Sequence, residues 1–284
     1  MGLVSKILQA EPDLKIPVPI EDLAGQLDIE DIQPLKTEGF LGGLVTNEAR
    51  TLGFVLVKDD LRLGRRRFTI AHELGHFLCP SHKLTAGDRF LCTRKAMSVW
   101  DVKASDTNWR IEAEANRFAA LILIPPPVLR PFLARKRYAD LNTVLEMHRM
   151  FAVSKEMAAR AYAEYFHEPV AVLITRHGKL RYAYRHKEFP RLDLERGQPL
   201  PEISIVQQHK SLTGLTSSDS TDPAHWIDER DVQTVIALYE QVLPQANGFA
   251  MVQLKAILRD EEDRDEDEDL TSKQRFARRM EKWR

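Results

Sequence analysis

The sequence predicts an α+β protein in two parts, and three observations carry that expectation. The pentad His72-Glu73-Leu74-Gly75-His76 sits inside an apolar stretch, Phe68 to Leu78, that reads as a helix. Arg110 to Ile124, rich in alanine and straight-chain residues, reads as a second helix. Beyond about residue 169 the periodicity turns from helical to alternating, which marks a smaller β-rich part. At 284 residues the chain is long enough for a substantial core and two domains.

Taken in order, residues 17–29 (PVPIEDLAGQLDI) form a short amphipathic helix: Ile20, Leu23, Ala24 and Leu27 repeat at i, i+3, i+4, i+7, with Pro19 at its start. Two strand-like runs follow, Gly43 to Thr46 and Leu52 to Lys58, around the polar turn Asn47 to Arg50. Arg65-Arg66-Arg67 leads into the helix of the pentad, which ends near Cys79-Pro80 because proline cannot continue it. Residues 81–109 read as irregular. The helix from Arg110 buries Ile111, Ala115, Phe118, Ala119 and Ile122 and stops at the triplet Pro125-Pro126-Pro127.

Helical periodicity continues from Val128 to about Phe166, broken near Ala139-Asp140 and at Ala152 to Ser154, where Ser154 is suited to cap the last helix. Val170, Val172 and Ile174, the turn His177-Gly178, and Leu180, Tyr182 and Tyr184 make a hairpin. Ile203 to Val206 and Phe249 to Leu258 are further strand candidates, and Ser211 to Asp222 is a surface loop. The acidic run Asp260 to Asp269 and the basic stretch Lys273 to Arg284 are expected to be a charged, disordered tail.

Composition narrows the function classes. Apolar and charged fractions of 43% and 29% are ordinary for a globular protein. A net charge of −1 gives no field that would attract nucleic acid or an acidic membrane. Two cysteines, Cys79 and Cys92, are too few for a disulfide framework and fit a reducing compartment, where both read as small packed residues. No long apolar h-region opens the chain and no run approaches eighteen apolar residues. A cytoplasmic protein is expected, with no membrane partner and no direct contact with nucleic acid.

The chemistry lies in the pentad. On a helix, His72 and His76 are one turn apart on one face and can hold a single metal ion, while Glu73 reaches a water on it. Zinc suits this set, because two imidazoles and a carboxylate leave a position for water, whose pKa falls towards about 7. The third ligand should then come from a downstream helix, the gluzincin arrangement. Glu112 and Glu114 are the candidates, and they project about 200° apart around a helix, so both cannot serve one ion. Glu112 is favoured because Asn116 follows it one turn later and can supply a supporting hydrogen bond. Glu114 then reads as a surface or arginine-paired carboxylate.

At these residues the sequence resembles a known family. RFTIAHELGHFL followed by EAEANRFAALILIP is similar to the ImmA/IrrE metallopeptidases, whose signature pairs an HExxH helix with a downstream ExxAN-FA helix ending at an aliphatic-proline stop. The upstream PVPIEDLAGQLDI and, more softly, FAVSKEMAARAY and LYEQVLPQANGFAMVQL share the resemblance. It implies a minimal zincin-like (gluzincin) metallopeptidase domain, here residues 1–127; the periodicity adds a helical segment over 128–168, helix-hairpin or helix-turn-helix in kind, and a small β-rich C-terminal domain over 169–259. It also implies a zinc endopeptidase that cleaves a helix-turn-helix transcriptional repressor, with His72, His76 and Glu112 as zinc ligands and Glu73 as catalytic base.

Two departures stand out: the linker between the two motif helices is long, and no separate N-terminal DNA-binding domain is evident, so the substrate would be a partner's repressor. The strand Leu52 to Lys58 could pair with an extended substrate backbone. His82 and Arg110 are the nearest guesses for a group that stabilises the oxyanion. The competing reading is a non-proteolytic protein- or DNA-binding regulator whose metal site is structural or decayed. An intact Glu73 speaks for the enzyme, since a purely structural site has no use for an acid-base group between its histidines.

Overall fold

The computed structural model describes residues 2–36, 38–82, 89–98, 107–209 and 212–259. The expected charged tail, 260–284, lies outside them. The chain is mixed α and β: among the described residues it forms eight α-helices and two sheets, divided between two compact units. Unit 1 comprises residues 1–137 and 142–165, and unit 2 comprises residues 138–141 and those from 166 onward.

Unit 1 opens with α1 (Gly2–Ala10) and α2 (Ile20–Gln26), the latter burying Ile20, Leu23 and Ala24 as its spacing requires. A four-stranded sheet follows, built from β1 (Ile29–Leu35), β2 (Phe40–Thr46), β3 (Gly53–Lys58) and β4 (Arg89–Thr93) in the order β1-β3-β2-β4. β1 runs parallel to β3, whereas β2 runs antiparallel to both β3 and β4. β1 and β4 fall where no strand was expected. β1 carries two acids and Pro34, which an edge strand tolerates because one row of its backbone groups is unpaired. β4 lies within the stretch that read as irregular, and at five residues it is too short to show alternation.

Between β3 and β4 runs α3 (Leu63–Leu78), buried almost without interruption from Phe68 to Phe77. It ends where the chain turns extended at Cys79, before Pro80. Arg50, in the left-handed region at φ 51°, closes its C-terminus by donating from Nη1 to the carbonyls of His76 (2.9 Å) and Cys79 (2.5 Å). This satisfies carbonyls that the last turn leaves without helical partners. α4 (Thr107–Leu123) packs against α3, begins three residues before the expected start, and ends short of the proline triplet. Pro126 then starts α5 (Pro126–Ala134), since a missing N–H costs nothing in a first turn.

Gly75 of α3 faces the Phe118 ring so closely that a Cβ there would lie 3.0 Å from it. α6 (Leu141–Met150) and α7 (Lys155–Tyr165) follow, with Ser154 capping α7 by accepting the Met157 N–H at 3.1 Å. A Cβ at Gly64 would meet backbone atoms of Val153 and Ser154 within 3 Å, so the start of α3 lies directly against this turn.

Unit 2 is an antiparallel sheet of β5 (Val170–Arg176), β6 (Lys179–Arg185), β7 (Asp219–Thr221), β8 (Val235–Pro244) and β9 (Phe249–Leu258), ordered β6-β5-β9-β8-β7. The β5–β6 hairpin turns at His177-Gly178, both with positive φ. Its core gathers Leu173, Phe189, Trp226, Val242, Val252 and Leu254. Ile203 to Val206 is not a strand. Ser204 caps a one-turn helix, α8 (Ile205–Gln208), and buried Glu240 of β8 accepts both the Ser204 hydroxyl (2.7 Å) and the Ile205 N–H (3.0 Å). Among the described residues no single helix is long and apolar enough to cross a membrane. The bent pair α4 and α5 passes only when taken together, and it buries Phe118, Ile122, Leu123, Leu129 and Leu133 in the core of unit 1.

Candidate metal centre

α3 and α4 bring three of the expected residues together. His72 and His76, four apart on α3 and fully buried, place their Nε2 atoms 3.0 Å apart. Glu112 of α4 sets Oε2 3.3 Å from His72 Nε2 and 3.6 Å from His76 Nε2. Those contacts are too long for strong hydrogen bonds, and no closer donor among the described residues meets this buried oxygen. They match another requirement. Donors about 2.0–2.1 Å from a tetrahedral zinc lie about 3.3–3.4 Å from one another, so the three atoms are spaced as the corners of one coordination sphere. The buried residues therefore fit a divalent metal, and with Cys92 they form a group whose donor atoms all lie within 4.8 Å of one another.

Glu73 sits beside this group. Its Oε1 is buried without a hydrogen-bond partner among the described residues, and its Oε2 lies 3.6 Å from Cys92 Sγ. Burial pushes the Glu73 carboxyl well above the ordinary range; the Cys92 contact opposes this and the Glu112 charge adds to it. A proton acceptor whose affinity has been raised is what a general base near neutral pH requires. Burial also lowers His76, to about 4, so the ring is neutral and able to donate a lone pair. Glu112 is pushed up by burial, but contacts with His72 and His76 outweigh that and bring it to about 2, an ionised carboxylate.

The sheet shapes the space around Glu73. Gly42 of β2 pairs with Cys92 of β4, and a Cβ at Gly42 would meet Thr69 Cγ2 at 2.4 Å and Glu73 Oε1 at 2.7 Å. Only a glycine lets the sheet approach the helix so closely at this point. Cys92 was expected to be a packed residue. It is packed, at 1% exposure, but against the acid-base group, and burial raises its thiol pKa well above the usual value. Its approach depends on the strand β4, which the sequence did not reveal. Cys79, at the end of α3, has no place in the group.

Glu114 is turned away from the donors, as the helical angle predicts. It meets His82 Nε2 at 3.1 Å and Arg110 Nε at 3.7 Å. His82 is tied at both ring nitrogens, to Glu114 and to His76 Nδ1, on the side of the His76 ring opposite Nε2. That position makes it unsuitable as an oxyanion donor. Asn116 donates Nδ2 to the Ala96 carbonyl at 3.0 Å, tying α4 to the turn after β4.

Two histidines and a glutamate spaced as donors, with a second buried glutamate beside them, make a group that can hold a metal ion next to a proton acceptor. Residues 31–162, which contain every one of these side chains, match the family model of peptidase M78, the IrrE N-terminal-like domain. A search of the curated proteins finds no match. Among solved structures, a Mycobacterium tuberculosis transcriptional regulator is similar at a TM-score of 0.49 and 14% identity, over 90% of this chain and 71% of that one. A likeness so distant carries no argument about function.

Proposed function

We propose that this protein is a zinc-dependent endopeptidase with a zincin-like (gluzincin) domain, acting on a regulatory protein. The observation that carries the reading is the tetrahedral spacing of His72, His76 and Glu112 with a buried, proton-avid Glu73 beside them. A structural site needs only the first three; the fourth gives it chemistry. When bound, zinc supplies Lewis acidity and a water acidified towards about 7. His72, His76 and Glu112 would hold the ion. Glu73 would take the proton of the attacking water and return it to the leaving amine. Gly42 and Cys92 pack against the Glu73 carboxylate and hold it in reach.

The substrate we infer is a helix-turn-helix transcriptional repressor, because residues 31–162 match the IrrE-like family model and the sequence resembles repressor-cleaving members of that family. Such a substrate would place the activity in the cytoplasm. Residues 1–127 would be the peptidase domain, 128–168 a supporting helical segment and 169–259 an accessory β-rich domain.

One observation favours the second reading, a regulator with a structural metal. Cys92 could complete four protein donors and leave no open position. Metal content by mass spectrometry, with cleavage of a candidate repressor by wild type and Glu73→Gln, separates the two. The peptidase reading expects equal zinc in both and cleavage by wild type alone; processing that survives Glu73→Gln overturns it. Glu112→Ala is expected to lose metal and Glu114→Ala to keep a weakened site. The opposite result would reassign the third ligand.

A further inference from the structure

We propose that His82 and Glu114 form a positioning relay behind His76, fixing the tautomer in which its Nε2 faces the metal. The inference rests on the reading that His76 is a ligand. Two hydrogen-bonding contacts run in line behind His76, from its Nδ1 to His82 Nδ1 at 3.0 Å and from His82 Nε2 to Glu114 Oε2 at 3.1 Å, while His72 Nε2 and Glu112 Oε2 lie around its own Nε2 at 3.0 and 3.6 Å. Each ring, when neutral, carries one proton, and each hydrogen bond takes one proton.

If His76 gives the Nε2 lone pair to an ion, its proton is on Nδ1 and must be donated. His82 Nδ1 is the acceptor in reach, so the His82 proton is on Nε2, directed at a carboxylate that can only accept. The chain of donors closes without a conflict. The reverse assignment puts a proton on His76 Nε2, against the ion, and leaves His82 Nε2 without a proton, lone pair against lone pair, beside Glu114. Glu114 therefore selects the His82 tautomer, and His82 selects that of His76.

The fold builds this relay deliberately into both halves of the site. His82 is completely buried in the turn that leaves α3, with its backbone N–H on the Cys79 carbonyl at 3.1 Å. α4 supplies Glu112 to the ion and, two residues and about 200° further round, Glu114 to the relay. Glu114 is half exposed and its second oxygen faces Arg110. The other α3 histidine has no such support: His72 Nδ1 is buried with no partner among the described residues. His76 is thus the ring whose orientation side chains control. Carboxylate-to-histidine support of this kind raises ligand basicity and holds the ring, and its loss typically weakens metal binding 10–100-fold.

The test measures zinc affinity by chelator competition and the visible spectrum of the cobalt-substituted protein, in the full chain. His82→Phe keeps volume and removes the acceptor; about 10–100-fold weaker zinc binding and an altered cobalt spectrum are expected. His82→Asn puts an amide oxygen near the Nδ1 position and should restore most of the affinity, which a purely space-filling role would not predict. Glu114→Gln should cost affinity in wild type and nothing further in His82→Phe. Wild-type zinc affinity and cobalt spectrum in His82→Phe overturn the relay. If that variant does not fold, unchanged values in Glu114→Ala, which removes the acceptor at a half-exposed position, overturn it equally. Wild type that binds no zinc overturns the metal reading as well, whereas wild type that binds zinc without cleaving a repressor removes only the peptidase reading, and the relay is judged by affinity and spectrum.

Discussion

At Glu73, stability and chemistry oppose each other. Its folded-state pKa is raised by burial, so its contribution to stability is complete below the unfolded value near 4.5 and is lost as pH rises through the folded value. Glu73→Gln cannot titrate. The metal-free variant should therefore gain stability relative to wild type as pH rises, while peptide cleavage falls about 10²–10⁴-fold. Urea unfolding of both metal-free proteins at pH 5 and pH 8 checks this, and a gap that does not grow with pH refutes it. His76 runs the other way. Its folded pKa of about 4 lies below the unfolded 6.5, so stability drains from the metal-free fold as pH falls across that window. The spacing of the two histidines and the angle between Glu112 and Glu114 were legible in the sequence because helical geometry is fixed locally. Cys92 was not, because its approach to Glu73 depends on a strand pairing with Gly42 fifty residues earlier in the chain.

Among the elements, α3 is positioned by two contacts that invite substitution. Gly75→Ala places a methyl 3.0 Å from the Phe118 ring and must push α4 outward. A cost of about 1–3 kcal/mol is expected, together with weaker zinc binding, because Glu112 travels with α4. Chelator competition and urea unfolding measure the two effects, and unchanged zinc affinity would mean that the helices absorb the methyl elsewhere. Arg50→Met removes the guanidinium from the His76 and Cys79 carbonyls and should cost about 1.5–3 kcal/mol, the worth of hydrogen bonds to a charged group. Thermal unfolding reads it directly. Long helices with unbroken periodicity were recognisable from residue types alone. β1, β4, β7 and β8 were not: Pro34 hides one at a sheet edge, β4 and the three-residue β7, within the expected surface loop, are too short, and β8 carries Glu240 and Gln241 buried at its centre. Glu240 also explains the misread Ile203 to Val206, since its carboxylate caps the start of α8 and no local pattern announces that partner.

On the scale of the whole molecule, every donor of the candidate site belongs to unit 1, so a bound ion acts there first. Zinc at a hundredfold its dissociation constant should add about 2.7 kcal/mol to whatever unfolds with the site. Hydrogen exchange is expected to slow in α3 and α4 and to change little in β5 to β9; equal slowing in both would refute a local effect. The change from helical to alternating periodicity near residue 169 foretold a second sheet, but the fourth strand of the first sheet was lost in the stretch that read as irregular. That same long connection gives the site a further property. His76 and Glu112 lie roughly 35 residues apart in sequence, and an ion gripped by both is a removable cross-link closing a large loop. Cross-links over such loops reduce the freedom of the unfolded chain by about 4 kcal/mol. The ion would then be a clasp as well as a reagent, and a cell that withdraws zinc would loosen β4, Cys92 and the floor beneath Glu73 together.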